Sequence, residues 1–131
     1  MIQEIISGKQ LLAIIIRASY VAEGISFFTP DSFSQQLGYM NRPAGYHIPP
    51  HVHNPLTREV EYTNEVLFIK SGRLRVDFYN ENKIYLESAT LQQGDVILLA
   101  RGGHGFEMLE STEIIEVKQG PYAGEKDKTR F

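Results

Sequence analysis

Cysteine is absent from this 131-residue chain, which removes a disulfide framework, a thiolate metal site and a cysteine nucleophile together. Any metal held here is held by nitrogen and oxygen. Long apolar runs are missing as well. The one near the start, residues 11–16, is far short of the roughly 18–20 residues that span a bilayer. It is also shorter than the usual signal-peptide core and is followed at once by Arg17. The expectation is a cytoplasmic protein with no membrane contact. Positive charge is scarce: thirteen Lys and Arg stand against sixteen Asp and Glu, for a formal net charge of -3. No stretch is basic enough to follow a phosphate backbone, so nucleic acid is not an expected partner. Lys126, Lys128 and Arg130, interrupted by Asp127, read as a solvated stretch.

What is present points to one globular β domain over residues 1–131. Glycine and proline punctuate the chain at short intervals, and the segments between them are rich in Val, Ile, Phe, Tyr and Thr, the composition of many short strands. Residues 11–17, a continuous apolar run ending in Arg17, fit a buried strand or part of a helix, with strand the preferred reading. Residues 35–42 look extended, and Pro43-Ala44-Gly45 then turns the chain into 46–53. There Pro49 and Pro50 remove two donors, so the approach to the histidines reads as an edge or irregular strand. Residues 54–64 read as a loop, with a short strand around 60–62. Ser71-Gly72, between 65–70 and 73–79, has the form of a tight hairpin connection. Further strands are expected at 83–91, 95–99, 104–110 and 113–117, and the stretch from Lys118 reads as irregular.

Alternation along these strands assigns faces. If Glu65 points inward, so do Leu67 and Ile69, and Leu74, Val76 and Phe78 belong to the same interior. Arg73, Arg75, Asp77 and Tyr79 then face outward. If His104 points inward, Phe106 and Met108 follow it and Glu107 turns away. Val66 and Phe68 become outward-facing apolar side chains, which a homodimer would cover.

The chain has only four histidines, and two of them form the triplet His51-Val52-His53. Residues one apart on an extended strand share a face, and imidazole and carboxylate are the groups that hold borderline divalent metals. His47, outside this triplet, reads as structural or surface. Gly45, five residues, His51, one residue, His53, then Glu65, six residues, Gly72 resembles the first motif of the cupin superfamily. Gly94 followed by Ala100, Gly102 and His104 resembles the second. The resemblance covers about residues 45–108 and is to small single-domain members of that family. It implies an antiparallel double-stranded β-helix, the jelly-roll or cupin barrel, enclosing one metal ion. Carried over position by position, it makes His51, His53, Glu65 and His104 the ligands. The chain departs from the family pattern in places. The gap between His53 and Glu65 is several residues longer than usual, which leaves Glu59 and Glu61 as competitors for the carboxylate role. Ala100 stands where proline is customary, the glycine-to-histidine spacing in the second motif is one residue shorter, and Met108 replaces an asparagine. A looser likeness is to small bacterial cupins of polysaccharide and nucleotide-sugar biosynthesis.

Three neutral imidazoles and one carboxylate around a divalent ion leave a net charge near +1 and, at six-coordination, two open positions. Such a set suits Fe, Mn, Ni or Zn, and a small oxygenated ligand of sugar or keto-acid type that chelates through oxygen. The expected lining is apolar: Leu67, Ile69, Val76, Phe106 and Met108. Tyr39, Tyr46 and Tyr62 are candidate polar contributors that also read as packed amphipathic aromatics. Two functions fit this picture, a metal-dependent isomerase or oxygenase and a non-enzymatic cupin that binds or senses a small molecule. A dimeric partner-docking protein is a third.

Overall fold

Residues 10–16, Gln-Leu-Leu-Ala-Ile-Ile-Ile, carry no alternation because both faces of the strand they form are covered; Leu12 to Ile15 are all sealed from solvent. This strand is β2 of the computed structural model, which describes residues 1–131. The strands, in chain order, are β1 (Ile2–Ser7), β2 (Gln10–Ile16), β3 (Gly24–Phe27), β4 (Gly38–Asn41), β5 (Glu65–Ser71), β6 (Arg73–Tyr79), β7 (Tyr85–Gln92), β8 (Val96–Leu99), β9 (Gly103–Met108) and β10 (Glu113–Lys118). A single 3-10 turn, Gly124–Asp127, is the only helical element. The fold is therefore all-β, and every strand pair in it is antiparallel. No helix is long and apolar enough to cross a membrane.

The chain gathers into two compact units, one made of Met1–Tyr20 with Tyr62–Phe131 and the other of Val21–Glu61. The larger unit holds a five-stranded sheet in the order β1-β2-β8-β5-β10 and a three-stranded sheet in the order β7-β6-β9. Its core is built from both. Ile5, Ala13, Ile15, Leu67, Ile69, Ile97 and Leu99 come from the first sheet, and Leu74, Val76, Phe78, Ala89 and Leu91 from the second. The smaller unit contains the hairpin β3-β4 and a long irregular stretch. Strand pairing in neither unit closes into a barrel.

The Ser71-Gly72 connection, expected to close a hairpin, does something else. β5 pairs with β8 and β10, whereas β6 pairs with β7 and β9, so the chain passes here from one sheet to the other. Gly72 has a φ of +87°, and a side chain on it would strike the carbonyl oxygen of Ser111 and the backbone of Thr112. The Thr112 hydroxyl accepts the Arg73 N–H at 3.2 Å and lies 3.1 Å from the Arg73 carbonyl. The β9–β10 connection thus occupies the place a hairpin partner would take. Leu67, Ile69, Leu74, Val76 and Phe78 are nonetheless buried, as strand alternation predicts, because one interior lies between the two sheets on either side of the crossing.

Asp95, in the turn between β7 and β8, is a carboxylate almost without solvent contact, its side chain 2% exposed. It accepts hydrogen bonds from Arg17 Nη1 at 3.1 Å, the Ala18 amide at 2.8 Å and the Gln92 amide at 2.9 Å. Through these it ties the end of β2 to the β7–β8 turn, and its burial is tolerated because each oxygen is satisfied. On the outer side of the five-stranded sheet, Val66 pairs with Val117 and Phe68 with Ile115. Phe68, Ile115 and Val117 remain exposed there as an apolar stripe at the β10 edge. On the outer side of the other sheet, Arg75 pairs with Asp77 and Glu107, both at 2.8 Å, which agrees with the outward orientation expected of those residues.

Candidate functional site

Glu65 is the first residue of β5 and shares its inward parity with Leu67 and Ile69. His104 lies on β9 opposite the sealed Phe78, so it too faces inward. The two strands belong to different sheets, and their side chains meet across the space between them. Glu65 Oε2 stands 3.6 Å from His104 Nε2, with the side chains 14% and 27% exposed. The Glu65 carboxyl is held below its usual range. The largest cause is the hydrogen-bonding approach of His104, at a separation slightly beyond an ordinary hydrogen bond. Burial opposes it, and the positive charges of His104, Lys118 and Lys128 add to it. Lys118 is the register partner of Glu65 on β10. The His104 ring also leans on Phe106, with ring centroids 5.4 Å apart.

His51 and His53 lie in the smaller unit, on an exposed stretch without regular structure. The expected edge strand over residues 46–53 does not form, and neither does a short strand at 60–62. Pro49, Pro50 and Pro55 supply no N–H for a ladder. The two rings still sit side by side, T-shaped, with centroids 5.3 Å apart. His51 Nδ1 is 2.9 Å from the Pro49 carbonyl oxygen. A carbonyl only accepts, so Nδ1 is the donor in this contact. No group of three or more His, Asp or Glu side chains that could hold a metal ion is formed. Glu59 and Glu61, the alternative carboxylates, are exposed members of the same irregular stretch as the histidine pair.

The residues expected to line a pocket divide sharply. Leu67, Ile69 and Val76 are sealed members of the inter-sheet core. Phe106 and Met108 follow His104 along β9, on the side of Val76 and Leu74, but they are 40% and 50% exposed because β9 is an edge strand. Tyr62 is half exposed under the Arg101 guanidinium, which lies 4.0 Å from its ring centroid. Tyr46 stacks in the same way under Arg42 at 4.4 Å. The Tyr39 hydroxyl accepts the Ala22 amide at 3.5 Å. Sequence reasoning missed Lys118 and Arg101. Lys118 was legible in principle, since it follows Glu116 and Ile114 at a spacing of two on a strand that must pair with something. Arg101 over Tyr62 carried no local signal.

No protein-family model matches the chain, and neither the curated proteins nor the solved structures contain one similar to it. The chemistry of the site is therefore read from its own residues.

Proposed function

We propose that this chain is a small cupin-type jelly-roll protein. In this reading it binds one divalent metal ion, Fe, Mn, Ni or Zn, through His51, His53, Glu65 and His104, and presents that ion to a small oxygenated molecule of sugar or keto-acid type. The observation that carries the reading is the Glu65–His104 pair. A carboxylate oxygen and an imidazole nitrogen, two donor types that hold borderline divalent metals, stand 3.6 Å apart and are both largely shielded from solvent, so Glu65 and His104 could hold one ion between them. The jelly-roll part is supported by the path from β5 to β10, which visits the two sheets in the order first, second, second, first, second, first. His51 fits the ligand role because its Nδ1–H is engaged by a backbone carbonyl, the support that metal-binding imidazoles usually have.

When bound, such an ion supplies Lewis acidity toward a carbonyl or hydroxyl oxygen. The chain's own residues do the rest. Glu65 stays ionised at neutral pH and lowers the net charge of the site, while Lys118 and Lys128 bring positive charge that favours an anionic ligand. Phe106 and Met108 offer apolar contact beside His104. The same reading includes a homodimer, with a second copy seated on the stripe formed by Phe68, Ile115 and Val117.

The decisive measurement is metal analysis by mass spectrometry on protein purified without a nickel column. About one divalent ion per chain is expected, with most of it lost in Glu65→Ala and His104→Ala. Metal-free protein that takes up neither Zn nor Mn nor Ni on incubation overturns the proposal. If His51→Ala and His53→Ala keep full occupancy, those two residues are not ligands.

A further inference from the structure

Five arginines belong to the larger unit, and four of them are paired with a carboxylate: Arg17 with Asp95, Arg73 with Glu110, Arg75 with Asp77 and Glu107, and Arg130 with Glu125. Arg101 is the exception. Its guanidinium has no ion pair and no hydrogen bond within the chain, although acidic residues outnumber basic ones, sixteen to thirteen. It is partly shielded from solvent and lies over the Tyr62 ring, 4.0 Å from the centroid. That contact restrains the charged group and leaves its N–H fork without an oxygen acceptor from the protein.

The elements that build the Glu65–His104 pair also place Arg101 beside it. In its sheet Glu65 is flanked by Leu99 of β8 and Lys118 of β10. Arg101 comes two residues after Leu99 and three before His104, whereas Tyr62 comes three before Glu65. The Arg101–Tyr62 contact therefore joins the segment that leads into the imidazole to the segment that leads into the carboxylate. A two-residue step covers at most about 7 Å and paired Cα atoms are about 5 Å apart, so the Cα atoms of Arg101 and Glu65 are within about 12 Å. Lys118 shares a face with its register partner Glu65. It is exposed and forms no ion pair, although Glu116 stands two residues away on the same face.

We infer that Arg101 and Lys118 form a docking rim for an oxyanion of the ligand, a carboxylate or phosphate group, and that this group selects which small molecule is presented to the Glu65–His104 pair. The guanidinium offers a planar fork that matches two oxygens of either group, and the ammonium offers a point charge. Tyr62 restrains the fork before the ligand arrives, which lowers the ordering cost of binding. That the rim serves the pair rests on the functional reading above; that an oxyanion docks on it rests on the unpaired cations and their placement.

The test is isothermal titration calorimetry with three probes, pyruvate, glucose 1-phosphate and uncharged glucose. The proteins are the full chain, Arg101→Gln, Arg101→Lys and Lys118→Gln, with melting temperature and metal content measured on each. The full chain is expected to bind at least one of the two anions and not glucose, and the tighter of the two identifies the oxyanion as carboxylate or phosphate. Arg101→Gln should weaken that binding by about tenfold or more, the loss that follows removal of a hydrogen bond between charged groups. Arg101→Lys keeps the charge without the fork and should recover only part of it. Lys118→Gln should weaken it too, and this exposed position decides the matter if the Arg101 variants fail to fold. A merely structural Arg101 would lower the melting temperature and leave the preference for anions unchanged. A full chain that binds neither anion, or an Arg101→Gln protein that binds as tightly as the full chain, overturns the rim. Anion binding that falls in Arg101→Gln while the full chain holds no divalent metal leaves the rim standing and removes the metal reading. About one ion per chain with anion binding unaltered by the variants does the reverse.

Discussion

Replacing Asp95 with alanine should destabilise this protein more than any other single change to a polar side chain. The carboxylate accepts from two backbone amides and from Arg17, and its side chain is 2% exposed. Hydrogen bonds to a charged acceptor contribute about 1.5–3 kcal/mol each, so the gross loss for three is about 5–9 kcal/mol. Part is offset, because Arg17 is 26% exposed and keeps its bonds to Thr90 at 2.6 Å and Gln3 at 3.0 Å. The Ala18 and Gln92 amides lose their side-chain acceptor, and water at these exposed residues replaces part of it. Removing one partner of a buried pair costs about 3–5 kcal/mol in general, and ~4 kcal/mol is the expectation here. With an unfolding entropy of about 2.1 cal/mol/K per residue, that corresponds to a fall in Tm of roughly 14 °C. Urea unfolding followed by far-UV circular dichroism at pH 7 measures it directly, the m-value serving as a check that the unfolded state is unaltered. Asp95→Asn should be no remedy, since its amide group would face the Gln92 and Arg17 donors. A loss below about 1 kcal/mol at unchanged m would refute the argument that this carboxylate holds the β2 end to the β7–β8 turn.

Other consequences are open to equally direct checks. Gly72→Ala should cost about 1–3 kcal/mol from its positive φ alone and more from collision with the 111–112 backbone, whereas Gly8→Ala, at φ +61° with open space around it, should bear only the backbone part. Equal urea midpoints for the two variants would show that no close approach exists at Gly72. Glu65 ionises below its ordinary value of 4.5 in the folded chain, so its contribution to stability is complete above that value and is lost as pH falls through the depressed one. His104→Ala removes the largest cause, and stability measured by urea between about pH 3 and 6 should then fall less steeply toward acid; identical slopes would refute the coupling. If a second copy covers the outer stripe, analytical ultracentrifugation will find a dimer that Phe68→Glu converts to monomer. A wild-type protein that sediments as a monomer removes the homodimer.

Strand positions from β5 onward were legible because period-two alternation and turn residues are local. β1 and β3 escaped notice for equally local reasons. In β1 only Ile5 is sealed, and a register shift between Ile5 and Ile6 breaks the alternation. β3 is four residues long and pairs only with β4. The Ser71-Gly72 connection shows the limit of such reasoning. A tight turn and two inward-facing runs describe a hairpin and a crossing between sheets equally well, and only the partners of β5 and β6 separate them. The same holds for the site: residue type and spacing single out His51 and His53, but the prolines around them prevent the strand that would present them.

The chemical vocabulary of this protein is written in its residues: no thiol, four imidazoles, β-forming segments and an alternation that names which side chains face inward. Those properties depend on neighbours a few positions away, so the one-dimensional order suffices to determine them. The folded chain alone decided which sheet each strand joined, that Asp95 would be buried among three donors, that Glu65 and His104 would meet, and that Phe131 would settle beside Gly103. Each of these joins residues 28 or more positions apart or depends on such a pairing. Contacts at that range are selected by packing and hydrogen-bond satisfaction over the whole domain, which no local pattern records.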